Sequence, residues 1–113
     1  MSKIPPQNLE AESSLLGALL LDKEAIIKVG DSLRPADFYK DGNGLIYQAI
    51  IDLFEKHEPA DILSVANRLG EKKQLEAVGG KAYLAELTAS VPNSSHVESY
   101  ANIIRKKATL RKL

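Results

Sequence analysis

Few side chains in this sequence have the types and spacing that catalysis or metal binding requires. The 113-residue chain contains two histidines, His57 and His96, and no cysteine. Neither histidine has an acidic residue at the spacing of a helical zinc motif. The lack of cysteine excludes disulfides, thiolate zinc sites and thiol nucleophiles. We therefore expect both histidines to lie near helix boundaries, without a catalytic or ligand role.

Two polar patterns near residue 42 resemble ligand loops, but both are incomplete. The pair Gly42 and Gly44 lacks the third glycine of a dinucleotide loop and follows no predicted strand. The pair Asp41 and Asn43 begins like a calcium loop, yet Leu45 stands where the third oxygen ligand is required. Neither pattern predicts a bound cofactor or metal.

The segment GGKA at residues 79–82 resembles the end of a P-loop. Leu75 occupies the position of the first P-loop glycine, and Ala82 replaces the hydroxyl that would bind Mg²⁺. The glycine pair is better explained as a bend between helices that requires positive φ. The sequence thus predicts no catalytic residue, no cofactor and no metal in this chain.

Helical periodicity and capping residues dominate the rest of the chain. Asn8 and Asp61 are good N-caps, Pro35 stops a helix, and Ser95 with Glu98 forms a capping box. The resulting prediction has helices at residues 9–21, 22–34, 44–56, 62–70, 81–91 and 95–113, single turns at 35–38 and 75–78, and a loop at 40–44.

No stretch alternates with period two, so the predicted fold is all-α, a compact orthogonal bundle of several helices in one domain. Fifteen basic and fifteen acidic residues balance each other, which does not favour binding to nucleic acid by bulk charge. The basic residues near the end of the chain also suit the C-terminal end of a helix. There is no signal peptide and no apolar run long enough to span a membrane, so we expect a soluble cytoplasmic protein.

Four stretches, in this order and spacing, resemble the N-terminal domain of bacterial replicative DNA helicases of the DnaB family. They are PQNLEAE (6–12), LRPADFY (33–39), LEAVGGKAYLAEL (75–87) and YANIIR (100–105). The chain differs from the family at residues 41–44, where members carry a histidine and a larger polar residue after the Phe-Tyr pair. The resemblance covers residues 4–113.

The resemblance implies a helical head at residues 1–94 and, at 95–113, the start of a helical hairpin that is truncated here. It implies a non-catalytic domain that supports the hexamer collar and recruits primase through the primase C-terminal domain, with a helicase loader as a further candidate partner. The ATP-dependent helicase motor, with its ATP and Mg²⁺, would lie outside this chain. By position in the family motifs, Glu10, Asp61 and Tyr83 are the candidate primase contacts. Each also has a structural explanation: a helix-dipole partner, an N-cap and a core aromatic.

The last helix is the candidate self-association surface, because apolar residues occupy two of its sides. Tyr100, Ile103 and Ile104 are the residues predicted to carry this contact in a dimer, and in a hexamer of the full-length protein. The alternative function is a stand-alone helical DNA-binding module, although direct DNA binding by this chain is not expected. Salt dependence of binding distinguishes the two functions.

Overall fold

The computed structural model describes residues 4–91 and 94–113, and every regular element within these ranges is helical. The helices are α1 (Leu9–Leu21), α2 (Ile26–Val29), α3 (Asp41–Glu55), α4 (Ile62–Glu71), α5 (Leu75–Val78), α6 (Gly80–Ser90) and α7 (Val97–Arg111). Short 3-10 turns lie at Pro35–Asp37 and Ser94–His96. The all-α prediction is confirmed.

Helix α1 is the centre of the core and packs against α3, α6 and α7. It begins where predicted, because the Asn8 side chain accepts a hydrogen bond from the backbone N–H of Ala11 at 2.9 Å. Its leucines Leu15, Leu16 and Leu19 are fully buried. Because neighbours contact α1 on several sides, its buried residues are spread around most of its circumference.

The second predicted helix, at residues 22–34, is wrong in extent, because only Ile26–Val29 is helical. The Asp22 carboxylate accepts from the N–H of Glu24 at 3.0 Å, which favours a turn over a helix at this point. The inward face is nevertheless as predicted, since Ile26, Val29 and Leu33 are buried. Burial of this segment therefore depends on three apolar side chains and does not need a continuous helix.

Helix α3 packs on the 3-10 turn at its start and on α4 further along. Tyr47 lies at its centre, fully buried, with its hydroxyl donating to the carbonyl oxygen of Leu33 at 2.9 Å. Burial, followed by the nearby carboxylates of Asp37 and Asp31, raises the pKa of this phenol far above its usual value. Tyr47 therefore remains a neutral hydrogen-bond donor that holds the turn against α3.

A charged cluster connects α3 to α4. The Asp52 carboxylate contacts Arg68 Nε at 3.0 Å and Lys72 Nζ at 3.6 Å, and it accepts from Gln48 Nε2 at 3.0 Å. Burial alone would raise the pKa of Asp52, but these hydrogen bonds and positive charges outweigh it and lower the pKa. Asp52 thus stays charged and bonds the two helices together at neutral pH.

Helix α6 follows α5 through the predicted glycine bend, with φ of 114° at Gly79 and 71° at Gly80. Its closest approach to α1 is at Gly17, where an added methyl group would overlap the backbone carbonyl of Leu87. The absence of a side chain at Gly17 therefore allows the backbones of α1 and α6 to touch.

Helix α7 returns along α1 and α2 and completes the core. It begins at Val97 with His96 as N-cap, so the predicted start at Ser95 is wrong, because a 3-10 turn occupies Ser94–His96. Its buried residues Val97, Ala101 and Ile104 belong to the same hydrophobic cluster as α1. None of the helices in residues 4–91 and 94–113 has the length and apolar character required to cross a bilayer.

Candidate functional site

Both histidines lie at helix ends. His57 has a φ of 59°, and the adjacent Glu58 N–H returns to the Leu53 carbonyl, which is the hydrogen-bonding pattern that closes a helix C-terminus. His96 stacks edge-on to Tyr100 with ring centroids 6.4 Å apart. Across residues 4–91 and 94–113, no group of three or more His, Cys, Asp or Glu side chains could hold a metal ion.

The segment predicted as a loop at residues 40–44 is the first turn of α3, and this prediction is wrong. The buried Glu12 carboxylate of α1 lies at this end of α3 and accepts from the backbone N–H groups of Tyr39 and Lys40, at 2.7 and 3.3 Å, immediately before the helix. A negative side chain at the positive end of a helix is stabilising. Glu12 therefore holds the start of α3 from a distance in sequence that no local pattern reveals.

Asn43 extends this contact into a buried network. Its amide nitrogen donates to Glu12 Oε1 at 2.9 Å, and its amide oxygen accepts from the Tyr83 hydroxyl at 2.7 Å. Glu12 and Asn43 are each 1% exposed. One hydrogen-bonded chain thus connects α1, α3 and α6, with Asn43 as its central member.

Tyr83 is the candidate primase contact that belongs to this network. Its ring packs beneath the ammonium group of Lys40, which lies 4.2 Å from the ring centroid, and it lies against Gly79. The hydroxyl is already bonded to Asn43. Tyr83 is half-buried, so a partner can reach part of its ring but not an unpaired hydroxyl.

Glu10 and Asp61, the other candidate primase contacts, are exposed at helix starts. Glu10 lies in the first turn of α1, and Asp61 caps α4 by accepting from the Ser64 N–H at 2.8 Å. In the described ranges, no hydrogen bond, ion pair or ring contact joins Glu10, Asp61 and Tyr83 to one another. Their helices α1 and α4 do both pack on α6, which carries Tyr83.

The candidate self-association residues on α7 separate into two groups. Ile104 is 1% exposed and packs into the head, while Tyr100 and Ile103 are half-buried at the edges of the covered face. Leu110 is exposed further along the helix. The head therefore covers the side that includes Ile104, and the apolar surface that remains runs from Tyr100 and Ile103 toward Leu110.

Sequence patterns gave no indication of the Glu12–Asn43–Tyr83 network or of the role of Arg111. The Arg111 guanidinium donates to the carbonyl oxygens of Pro6 and Asp37, at 2.8 and 2.6 Å, and lies over the Tyr39 ring. Arg111 thereby bonds the N-terminal segment and the 3-10 turn at Pro35–Asp37 to α7. Its position in a basic run near the end of the chain suggested only a phosphate contact or a partner for the helix dipole.

Comparison with known proteins gives one consistent result. A family profile described as the DnaB-like helicase N terminal domain matches residues 4–106. Replicative DNA helicase DnaB of Geobacillus stearothermophilus is 40% identical over 111 residues, which are 98% of this chain and 24% of that protein. Replicative DNA helicase DnaB of Mycobacterium leprae is 44% identical over 109 residues, covering 96% of this chain and 18% of that protein. The chain thus spans about a quarter or less of these relatives.

Solved structures agree with the sequence matches. The crystal structure of the N-terminal domain of DnaB helicase from Mycobacterium tuberculosis superposes with a TM-score of 0.94 at 44% identity, covering 96% of this chain and 79% of that one. The N-terminal domain of DnaB helicase from Helicobacter pylori, described together with its interactions with primase, gives 0.78 at 26% identity, covering 91% and 80%. With sequence, family and fold in agreement over most of its length, the chain belongs to the family of DnaB-like helicase N-terminal domains.

Proposed function

We propose that this chain is a non-catalytic assembly and protein-interaction domain of a replicative DNA helicase. In this role it contributes to the collar of a hexameric ring and recruits primase by binding the primase C-terminal domain. ATP hydrolysis and Mg²⁺ binding belong to a motor domain outside these residues, and a helicase loader is a further candidate partner.

The family match over residues 4–106 carries this proposal. It is supported by the Helicobacter pylori relative, whose structure is described with its interactions with primase. The surface adds a second argument, because Glu10 and Asp61 present exposed carboxylates from two helices that both pack on α6. Charges placed in this way suit a basic partner surface.

Charge-neutralising variants test the two carboxylates without changing the fold. Asp61→Asn retains an N-cap oxygen for the Ser64 N–H, and Glu10→Gln retains the side-chain shape. We expect each to weaken binding of the purified primase C-terminal domain by up to about fivefold, with a smaller effect at high salt. Isothermal titration calorimetry measures the affinity. Glu24→Gln, at an exposed acid beyond the far end of α1, is the control, and equal effects at all three sites would contradict the assignment.

Tyr83 requires a different pair of variants because its hydroxyl has a structural partner. Tyr83→Phe removes the hydrogen bond to Asn43, so it should cost about 1 kcal/mol of stability and leave primase affinity nearly unchanged. Tyr83→Ala removes the ring as well and should weaken binding in samples shown by circular dichroism to be folded. If folded Tyr83→Ala binds as well as the unmodified chain, the ring makes no contact with primase.

Self-association through α7 is tested by sedimentation equilibrium over a wide concentration range. We expect a weak dimer that Ile103→Asp disrupts, since Ile103 lies at the edge of the covered face. Ile104→Asp is unsuitable because it would place a charge in the core. Leu63→Asp, at an exposed leucine on α4, is the matched control. A monomer at every concentration, or equal effects of both variants, would contradict this assignment.

A further inference from the structure

An open groove lies between α7 and the segment around the 3-10 turn at Pro35–Asp37. Its volume is about 580 Å³. Ser32 and Arg34 line one wall, and Arg105, Lys106, Thr109 and Lys112 line the other. Four positive side chains and two hydroxyls therefore converge on one concave surface in a chain whose net charge is zero.

The protein offsets the positive charges in this groove only in part. Within residues 4–91 and 94–113, none of the four cations forms an ion pair, and Arg105 donates only to the neutral Asn102 amide. The one carboxylate in the lining, that of Asp37, accepts from the backbone N–H of Arg34 at 2.9 Å and offsets one of the four positive charges. The groove thus has an excess of positive charge and of hydrogen-bond donors.

The walls of the groove are held in place by contacts outside its lining. Arg111 donates to the Asp37 carbonyl oxygen and to the Pro6 carbonyl oxygen, which fixes the turn against α7. Tyr47 holds the preceding Leu33 carbonyl from the other side. These contacts hold the backbone of the two walls in place, so binding at the groove requires little reorganisation of the backbone.

We propose that this groove binds the phosphodiester backbone of single-stranded DNA, independently of base sequence. Guanidinium, ammonium and hydroxyl groups are the donors that phosphate oxygens accept from. Among the described residues that line the groove none is aromatic, so bases have no stacking platform and their identity is not read. This binding goes beyond the proposed protein contacts.

Single-stranded DNA fits this surface better than a DNA duplex or an acidic peptide. A flexible single strand can follow a concave groove, whereas a duplex presents its phosphates on a stiff convex surface. An acidic peptide would need apolar pockets for anchoring side chains, and Leu110 is the one large apolar residue in the lining. The four cations and two hydroxyls of the walls therefore favour a phosphate backbone.

Fluorescence anisotropy of a labelled short oligothymidylate, titrated with the purified chain over a salt series, tests the proposal. Contact with three or four phosphates predicts a slope of log affinity against log salt of about −2 to −3. The double variant Lys106→Glu and Lys112→Glu removes at least two contacts. It should reduce the slope by about 1.4 and lower affinity about 25-fold near 0.1 M salt.

The control is the double variant Lys56→Glu and Lys81→Glu, which changes the net charge equally but lies outside the groove. We expect this control to retain DNA affinity within about threefold. We expect the groove variant to bind primase normally, which separates DNA binding from the proposed protein contacts. Equal loss in both double variants, no DNA binding at low salt, or preferential binding of a labelled polyglutamate peptide would each overturn the proposal. Circular dichroism verifies that both variants are folded.

Discussion

The buried Glu12 carboxylate allows a sharp test of how the head is held together, through the isosteric change Glu12→Gln. Glu12 accepts three hydrogen bonds, from the N–H groups of Tyr39 and Lys40 and from the Asn43 amide. A glutamine amide has one oxygen, so it can replace only one of the two carboxylate oxygens. Rotating the Asn43 amide restores one side-chain bond at most. In either orientation of the new amide, the N–H of Tyr39 or the N–H of Lys40 therefore faces the amide NH₂ group, which cannot accept a hydrogen bond.

The expected cost follows from these bonds. A hydrogen bond to a charged acceptor contributes about 1.5–3 kcal/mol, and the bonds that survive weaken because the acceptor becomes neutral. The variant also avoids the cost of burying a charge, which offsets part of the loss. We therefore expect Glu12→Gln to lower the free energy of unfolding by about 2–3 kcal/mol.

Urea unfolding followed by far-ultraviolet circular dichroism measures this change, with linear extrapolation to water. The control is Glu10→Gln on the same helix, where the side chain is exposed and only a helix-dipole contribution of about 0.3–1 kcal/mol is lost. In Glu12→Gln, the backbone amide of Tyr39 or of Lys40 should also exchange faster with solvent. If Glu12→Gln is no less stable than Glu10→Gln, the carboxylate does not stabilise the head and the reasoning fails.

Two further predictions concern packing and pH. Gly17→Ala should destabilise the fold by about 1–3 kcal/mol in the same urea assay, because the added methyl group meets the Leu87 carbonyl. Gly70→Ala should stabilise the fold by about 0.5–1 kcal/mol, because the space around Gly70 in α4 is open. Burial would raise the pKa of Asp52, but the hydrogen bonds from Gln48 and Arg68 and the charges of Lys72 and Arg68 lower this pKa in the folded state. The stability from Asp52 is thus present above its ordinary pKa of about 4 and is lost as the pH falls through the lowered value. Asp52→Asn should therefore be less stable at neutral pH and lose less stability on acidification, as measured by urea midpoints at several pH values. An acid dependence unchanged by that substitution would contradict the role of this ion pair.

Some features determined within one helical turn were predictable from the sequence. Asn8 and Asp61 cap helices where expected, because their side chains bond to N–H groups three residues ahead. The glycine pair at 79–80 has the positive φ that its position required. In each case the residues that decide the geometry are adjacent in the chain, so composition and spacing carry the information.

Features determined by distant contacts were not predictable. The start of α3 depends on Glu12, whose bond to the Lys40 N–H spans 28 residues. The groove likewise needs Arg34, which no basic run identifies, to lie opposite the basic end of α7. The basic residues of α7 alone were adequately explained by the helix dipole, so only the folded arrangement favours a phosphate ligand.

The residues that the family resemblance assigns to primase binding differ in whether a substitution removes only a contact or also disturbs the structure. Glu10 and Asp61 are exposed, and their functional groups can be neutralised while the local structure keeps its hydrogen-bond acceptor. Tyr83 belongs to the same hydrogen-bonded chain as Glu12 and Asn43, so its removal disturbs the junction of α1, α3 and α6. Loss of primase binding in Tyr83→Ala would therefore be expected either from a missing contact or from a displaced α6. Glu12→Gln separates these causes, because Glu12 is buried and cannot touch a partner. If folded Glu12→Gln also binds primase weakly, Tyr83 acts by positioning α6, and if it binds normally, the Tyr83 ring itself is the contact.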